Sequence, residues 1–554
     1  MRILTLLVLV SFPALAVTRE IGPTANLSTE IATLNPGDEL VLQGGTYTLG
    51  TSQLRIDRSG TAAMPITIRS KTGERAHITR PSMNQNIADI SSRYLILRNL
   101  EFSGGSAGLR FLTAASFITI EGCNVHDTGD VAIRANDSGG TYDGFRILRN
   151  EVHHTNDTGE GMYLGCNSNA CQFANSLIEG NWVHHTNGPT ITQGDGIELK
   201  EGSYNNVIRD NVIHDTNYPC LTLYSAASRS STPNIVERNV MWRCGDHGIQ
   251  VSQDAVIRNN IILSAGSDGI SVQSHAQVTG GSGDVRLVNN TVIDSNGAAI
   301  AVRGAMAPVL VANNAVYTST GAALFVNTSG SNVTFSNNVG TGTGSMLVAG
   351  NLANDFVSAN FGGTVPNDVF PKTGSALIGA GQAASAPPED FNGTARTAPT
   401  TVGAYQFAAS NPGWTIVSGF KTAISTGGGS AGGGSAGGGS ATAGGSAGGS
   451  AAAGGSAGGS ATAGGSATAG GSATAGGSAT AGGSATAGGS ATAGGSATAG
   501  GSATAGGSAT AGGSAGGGAT DLNPTGCGCN GSALPWPLLV LAVWPLRRRR
   551  AAGC

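Results

Sequence analysis

Between residues 146 and 319 one pattern of apolar and polar positions keeps returning. The segments RILRNEVHHT, LIEGNWVHHT, VIRDNVIHDT, IVERNVMWRC, VIRNNIILSA, RLVNNTVIDS and LVANNAVYTS each read aliphatic, polar, polar, Asn, then aliphatic again one or two places on. Their asparagines are Asn150, Asn181, Asn211, Asn239, Asn260, Asn290 and Asn314, and Asn338 in TFSNNVG continues the series. The spacing, roughly 21 to 31 residues, is that of a solenoid. A shorter alternating run follows each asparagine: EGMYLG, DGIELK, PCLTLYS, HGIQVSQ, DGISVQS, AAIAVRG, AALFVNT. Runs of this kind, opened by Gly or another small residue, predict short strands. No repeat contains a helical segment, and the Leu-x-x-Leu-x-Leu framework of leucine-rich repeats is absent. The pattern therefore predicts an all-β, right-handed parallel β-helix with coils about 4.8 Å apart. Equivalent asparagines then lie above one another, where their amides can bond along the stack.

Both ends depart from this pattern. Arg2, the apolar run ILTLLVLVSFPALA and the small-x-small site Ala14-Leu15-Ala16 predict a secretory signal over residues 1–16, so that the β-helix domain spans 17–410. Residues 426–519 are almost wholly Gly, Ser, Ala and Thr, much of them the repeat TAGGSA. Such a composition offers too little apolar surface to offset chain entropy, so a flexible spacer is expected. The last part, 527–554, holds Cys527 and Cys529, a short proline-containing apolar run, and Arg547 to Arg550. That run is shorter than the roughly 20 apolar residues a comfortable membrane crossing needs.

Charge and cysteines narrow the class. The formal charge of the whole chain is −4, and losing Arg2 and the four tail arginines leaves about −9. A nucleic-acid binder would carry a basic footprint, so nucleic acid is not an expected partner. Cys166 and Cys171 bracket a short polar loop and suit a disulfide. Cys220 and Cys244 can form a second, and Cys123 is left over for burial. No C-x-x-C pair occurs in the folded part, which disfavours zinc thiolate sites.

Several stretches resemble a known family, the right-handed β-helix proteins related to pectate lyases and to alginate and chondroitin lyases. LNPGDELVLQGGTY (34–47), GTAAMPITIRS (60–70) and YLILRNLEFSGG (94–105) look like that family's opening coils. GSALIGAG, DFNGTAR and VGAYQF (402–407) look like its closing segment. The resemblance covers roughly residues 20–407 and implies the fold far more specifically than any activity, because this fold hosts lyases, hydrolases, epimerases and inert proteins. Segment 527–554 resembles the C-terminal sorting segment of myxobacterial surface proteins. That likeness implies an exported chain, tethered to the cell surface or outer membrane through its cysteine end, and a monomer is expected.

Stacking the short strands turns residues into columns. One outward column runs Arg134, Tyr163, Glu198, Thr222, Gln250 and Ser271; the next holds Gly165, Lys200, Tyr224, Ser252, Gln273 and Arg303. Glu160, Asp195, His247 and Asp268 stand just before the small residues that open the strands. Carboxylates, amides and tyrosines on adjacent coils suit a polysaccharide: aromatic faces for sugar rings, acids and amides for hydroxyls. A solvated sheet face would also be polar, so the alternatives are a glycan-binding adhesin and a rigid surface stalk. If the face is catalytic as a lyase, Lys200 neutralises the uronate or takes its proton, and Tyr224 or His247 carries protons. Glu160, Asp195 and Glu198 are then candidate Ca2+ ligands. A hydrolase would instead use a carboxylate pair such as Asp195 and Glu198. Glu160, Tyr163, Gln250, Asp268 and Gln273 are the expected substrate contacts. In the lyases of this fold an Arg-His pair follows a Leu-Thr-Leu strand, whereas LTLYSA (221–226) carries Tyr224 there. Lys200 also falls about two places off that family's lysine. The stacked histidines His126, His153, His184 and His214 can bind metal, but their recurrent turn reads as backbone satisfaction, and no metal site is assigned to them. The loops ANDSGGTYD and HTNDTGE are weaker Ca2+ candidates.

Overall fold

The computed structural model describes residues 16–224, 232–275, 281–327, 332–344 and 347–422, and beyond these only short strands between 451 and 512. The predicted signal (save Ala16) and the segment 527–554 with Cys527 and Cys529 lie outside the described residues. Two compact units are present, Met1–Gly429 and Ser430–Cys554.

In the first unit the chain winds as a parallel β-helix of three sheets, with thirteen, thirteen and eleven strands. Aliphatic residues on alternate strand positions point inward, so that Ile147, Ile178, Ile208, Val236 and Ile257 stack in one core column. The turn from the first sheet to the second needs a sharp bend at one residue per coil. Arg149, Asp210, Arg238, Asn259, Asn289 and Asn313 take it with φ of 53–58°. The asparagine next in sequence is fully buried. Its side-chain amide donates to the carbonyl oxygen of the next asparagine in the series, from Asn150 through Asn181, Asn211, Asn239, Asn260, Asn290 and Asn314 to Asn338. The same oxygen accepts the backbone N–H of the asparagine below it, so each turn satisfies its own buried polar groups.

A short helix, Leu27–Ala32, buries Leu27 and Ile31 near the first coil, its N-terminus capped by Asn26. At the other end a second apolar cluster joins Trp242, Leu263 and Tyr317 of the second sheet to Phe356, Phe391, Tyr405, Trp414 and Ile416. The domain boundary at 410 is therefore too early. Ile416 and Trp414 are buried, Ile416 bridges to Asn367, and Lys421 reaches Asp210 at 2.7 Å. Short linear segments that pack as a strap carry no repeat period, so the sequence pattern misses them.

In the second unit short strands of three or four residues within the TAGGSA repeats pair in parallel, Ala467 opposite Ala485 for example. Backbone pairing needs no apolar side chain, and identical repeats bring like residues into register. Among the described residues no helix is long and apolar enough to cross a membrane.

Candidate functional site

The third sheet carries the columns read from sequence. Arg134, Tyr163, Glu198, Thr222, Gln250 and Ser271 are register partners on successive strands. Backbone bonds from Lys200 to Leu164, Tyr224 to Leu199, Ser252 to Leu223 and Gln273 to Val251 fix the neighbouring column. The face is not the open, wet surface that the alternation suggested. Glu160, Asp195, Glu198, Lys200, His247 and Asp268 are all buried, while Arg134, Tyr163, Tyr224, Gln250, Gln273 and Arg303 keep partial exposure. The cause is side-chain reach: the Tyr163 and Tyr224 rings flank the Lys200 ammonium, with centroids at 4.5 and 4.9 Å.

Within this cover Lys200 Nζ donates to Glu198 Oε1. The Thr222 hydroxyl donates to Asp195 at 2.5 Å, and that of Thr158 to Glu160 at 2.7 Å. Glu160 Oε1 and Glu198 Oε2 have no hydrogen-bond partner, and neither has any carboxylate oxygen of the buried Glu201. Burial followed by mutual repulsion pushes the carboxyls up, Asp195 to about 7 and Glu198 well above the carboxylate range. Burial likewise raises Glu160. Burial works to lower Lys200, but Glu198 and Tyr163 outweigh it and hold the ammonium charged. Burial lifts the Tyr163 phenol to about 12 and raises Tyr224 further, so both are proton donors near neutral pH.

The remaining expected residues form a second group beyond the coil of Thr222. Gln273 donates to Gln250 at 2.9 Å and lies 3.5 Å from His247 Nε2. His247 Nδ1 accepts the Asp268 backbone N–H at 3.1 Å, while Arg303 is ion-paired to the Asp268 carboxylate and lies over the Phe325 ring. Burial lowers the pKa of His247, leaving the ring neutral. Its backbone-bound Nδ1 makes it less free to carry protons than the sequence reading expected.

Sequence reasoning missed three parts of the site. His275 packs on Tyr224 at 4.2 Å and lies 3.8 Å from Glu201, which stands beside Lys200 in the chain. Arg110 pairs with Asp137 at 2.7 Å. An open pocket of about 610 Å³, lined by Asn136, Asp137, Tyr163, Cys166 and Asn167 among others, borders the cluster. The Cys166–Cys171 disulfide forms part of its wall, and Cys220–Cys244 joins the strand of Leu221 to the second sheet. Cys123 is free and buried. The adjacency of Glu201 to Lys200 was the one available signal.

Two family models match parts of the chain: "Right handed beta helix region" over residues 178–280 and "Chondroitinase B" over residues 21–119. The first includes Asp195, Glu198, Lys200 and Tyr224 but not Glu160 or Tyr163, and the second ends before all of them. No curated protein matches the chain. Among solved structures, an alginate lyase from Paenibacillus sp. str. FPU-7 is 17% identical, covering 57% of this chain and 98% of that one, with a TM-score of 0.40. A mannuronic acid specific polysaccharide family 6 lyase from human gut microbiota is 18% identical over 60% and 82%, TM-score 0.40. Pectate lyase Pel9A is 15% identical over 71% and 97%, TM-score 0.40.

Proposed function

We propose that the third sheet binds an acidic polysaccharide and cleaves it by β-elimination. One observation carries this reading: a charged lysine between two tyrosine faces, beside buried carboxylates with raised pKa values. A structural stalk gains nothing from burying that cluster, and perturbed titrating groups of this kind mark functional sites. The partial match to the chondroitinase B family model is consistent with the substrate class.

In this reading a uronate enters from the pocket beside Tyr163. Lys200 stabilises the negative charge that builds on the sugar carboxylate, an interaction strongest in a water-poor site. Arrival of that anion favours protonation of Glu198, whose raised pKa makes the proton easy to hold, and this releases Lys200 to the substrate. Asp195, titrating near 7, accepts the C5 proton; the C4–O4 bond breaks as the C4–C5 double bond forms, and Tyr224 protonates the leaving oxygen. The unpartnered oxygens of Glu160 and Glu198 are hard ligands that fit Ca2+, which would take the place of their protons. We further propose that the chain is exported and tethered through residues 527–554; the two disulfides support an oxidising destination.

The test incubates the protein with uronate and neutral polysaccharides, with and without Ca2+, following unsaturated-product absorbance and new reducing ends together. Unsaturated ends that vanish in Lys200→Ala support the reading. Reducing ends alone would make the protein a hydrolase. Glycan retention without either signal would make it a binding protein, and silence throughout would leave a stalk.

A further inference from the structure

The second sheet presents a different chemistry. His126, His153, His184 and His214 are register partners on consecutive strands, and their rings stack at 4.9, 4.9 and 5.4 Å. The column ends at Trp242, where the apolar cover of the C-terminal strap begins. A second row follows one residue on: Asp127, His154, His185, Asp215.

The coils differ in what faces Nδ1 of each inner ring. For His126 and His214 it is a carboxylate, Asp127 at 2.7 Å and Asp215 at 2.6 Å. His214 is also closed on its other side, because Trp182 Nε1–H donates to its Nε2 at 3.0 Å. For His153 and His184 the Nδ1 partner is another imidazole, His154 and His185, each at 2.6 Å. A carboxylate steadies a protonated ring; a second imidazole does not. The inner rings of these two adjacent coils, His153 and His184, share one nearby acid on their other side. Glu151 Oε1 lies 3.4 Å from Nε2 of His184 and 3.9 Å from Nε2 of His153.

We propose that Glu151, His153 and His184 form a binding site for a divalent transition metal of the zinc class, held by Glu151 Oε1 and the two Nε2 atoms. Two ligand atoms about 2.0–2.1 Å from a tetrahedral zinc are about 3.4 Å apart. The observed 3.4 and 3.9 Å need only a small closure. With the ion bound, His154 and His185 can accept the Nδ1 protons, so that both Nε2 lone pairs face the ion, the role an outer partner plays for a metal-bound imidazole. Glu151 and His153 stay partly exposed, which leaves a path for the ion and a water in the fourth position. Imidazole donors select zinc, nickel or copper over Ca2+, so this site is chemically separate from the carboxylates of the third sheet.

The test strips the full chain with a chelator and titrates it calorimetrically with Zn2+, then with Co2+ while recording visible spectra. One ion per chain is expected to be lost or weakened at least about tenfold by His184→Ala and by Glu151→Gln, with His154→Ala costing about 10- to 100-fold. Co2+ should give visible ligand-field bands that Glu151→Gln alters, and Zn2+ should raise the Tm of the parent but not of Glu151→Gln. That comparison separates lost ligation from lost folding, because Glu151→Gln preserves shape. No Zn2+ binding by the parent, or binding unchanged in both variants, overturns the proposal. Neither outcome bears on polysaccharide cleavage by the third sheet.

Discussion

At Asp195, burial and the neighbouring Glu160 both oppose the charge, and the Thr222 hydroxyl, Lys200 and a backbone hydrogen bond favour it without outweighing them. A folded-state value of about 7 against an ordinary one of 3.8 means that the folded protein holds this proton more tightly than the unfolded chain. The stabilisation from that proton is complete below the ordinary value and is lost as pH rises towards and through 7. Asp195→Asn keeps an acceptor for Thr222 and removes the charge. Its stability advantage over the parent should therefore widen from pH 5 to pH 8 in urea unfolding. An advantage that does not change with pH would mean the carboxyl is not shifted. The sequence placed Glu198, Lys200, Tyr163 and Tyr224 on neighbouring coils correctly, because register follows from alternation. It did not show that they are buried, because how far a tyrosine ring reaches across coils depends on side-chain direction rather than on spacing.

Among the elements, the asparagine turn is where pattern and physics coincide most closely. Each position follows the bend, buries a side chain and must satisfy two backbone groups, and asparagine alone supplies a short donor and acceptor for that. The periodic Asn was legible in the sequence because one physical demand recurs on every coil. Asn211 shows what it contributes: its amide donates to Asn239 and to the Ile178 carbonyl, and its oxygen accepts from the Asn181 backbone and side chain. Asn211→Ala leaves all of these buried and unpaired, and each orphaned group costs about 1–3 kcal/mol. A loss of at least about 3 kcal/mol in chemical denaturation is expected, far more than for an exposed asparagine. The histidine pairs were only half legible: the stack followed from the repeat, but its recurrent turn read as backbone satisfaction. Their consequence appears only when two such coils are neighbours and share Glu151.

For the first unit as a whole, stability rests on neighbouring coils, and a solenoid needs its exposed end and flank covered. Residues 411–422 cover part of the second sheet's flank. Trp414 and Ile416 complete the apolar cluster, Trp414 donates to Thr422 at 3.1 Å, and Lys421 sits 3.5 Å over the Phe391 ring while it pairs with Asp210. Burying a large apolar side chain stabilises by about 1.5–3 kcal/mol, so two such residues together with the ion pair outweigh ordinary surface effects. A chain ending at 429 should melt as the first unit of the full protein does, whereas one ending at 410 should melt earlier. Lys421→Met, which keeps the apolar stem and drops the charge, should fall between them, because Asp210 retains Arg238 at 2.8 Å. Calorimetry on the three chains checks this. Equal melting of the 410 and 429 chains would show that the strap adds nothing. An earlier transition confined to the 410 chain would place the end of the folded unit beyond residue 416, and activity or metal assays on a shortened protein would have to retain those residues.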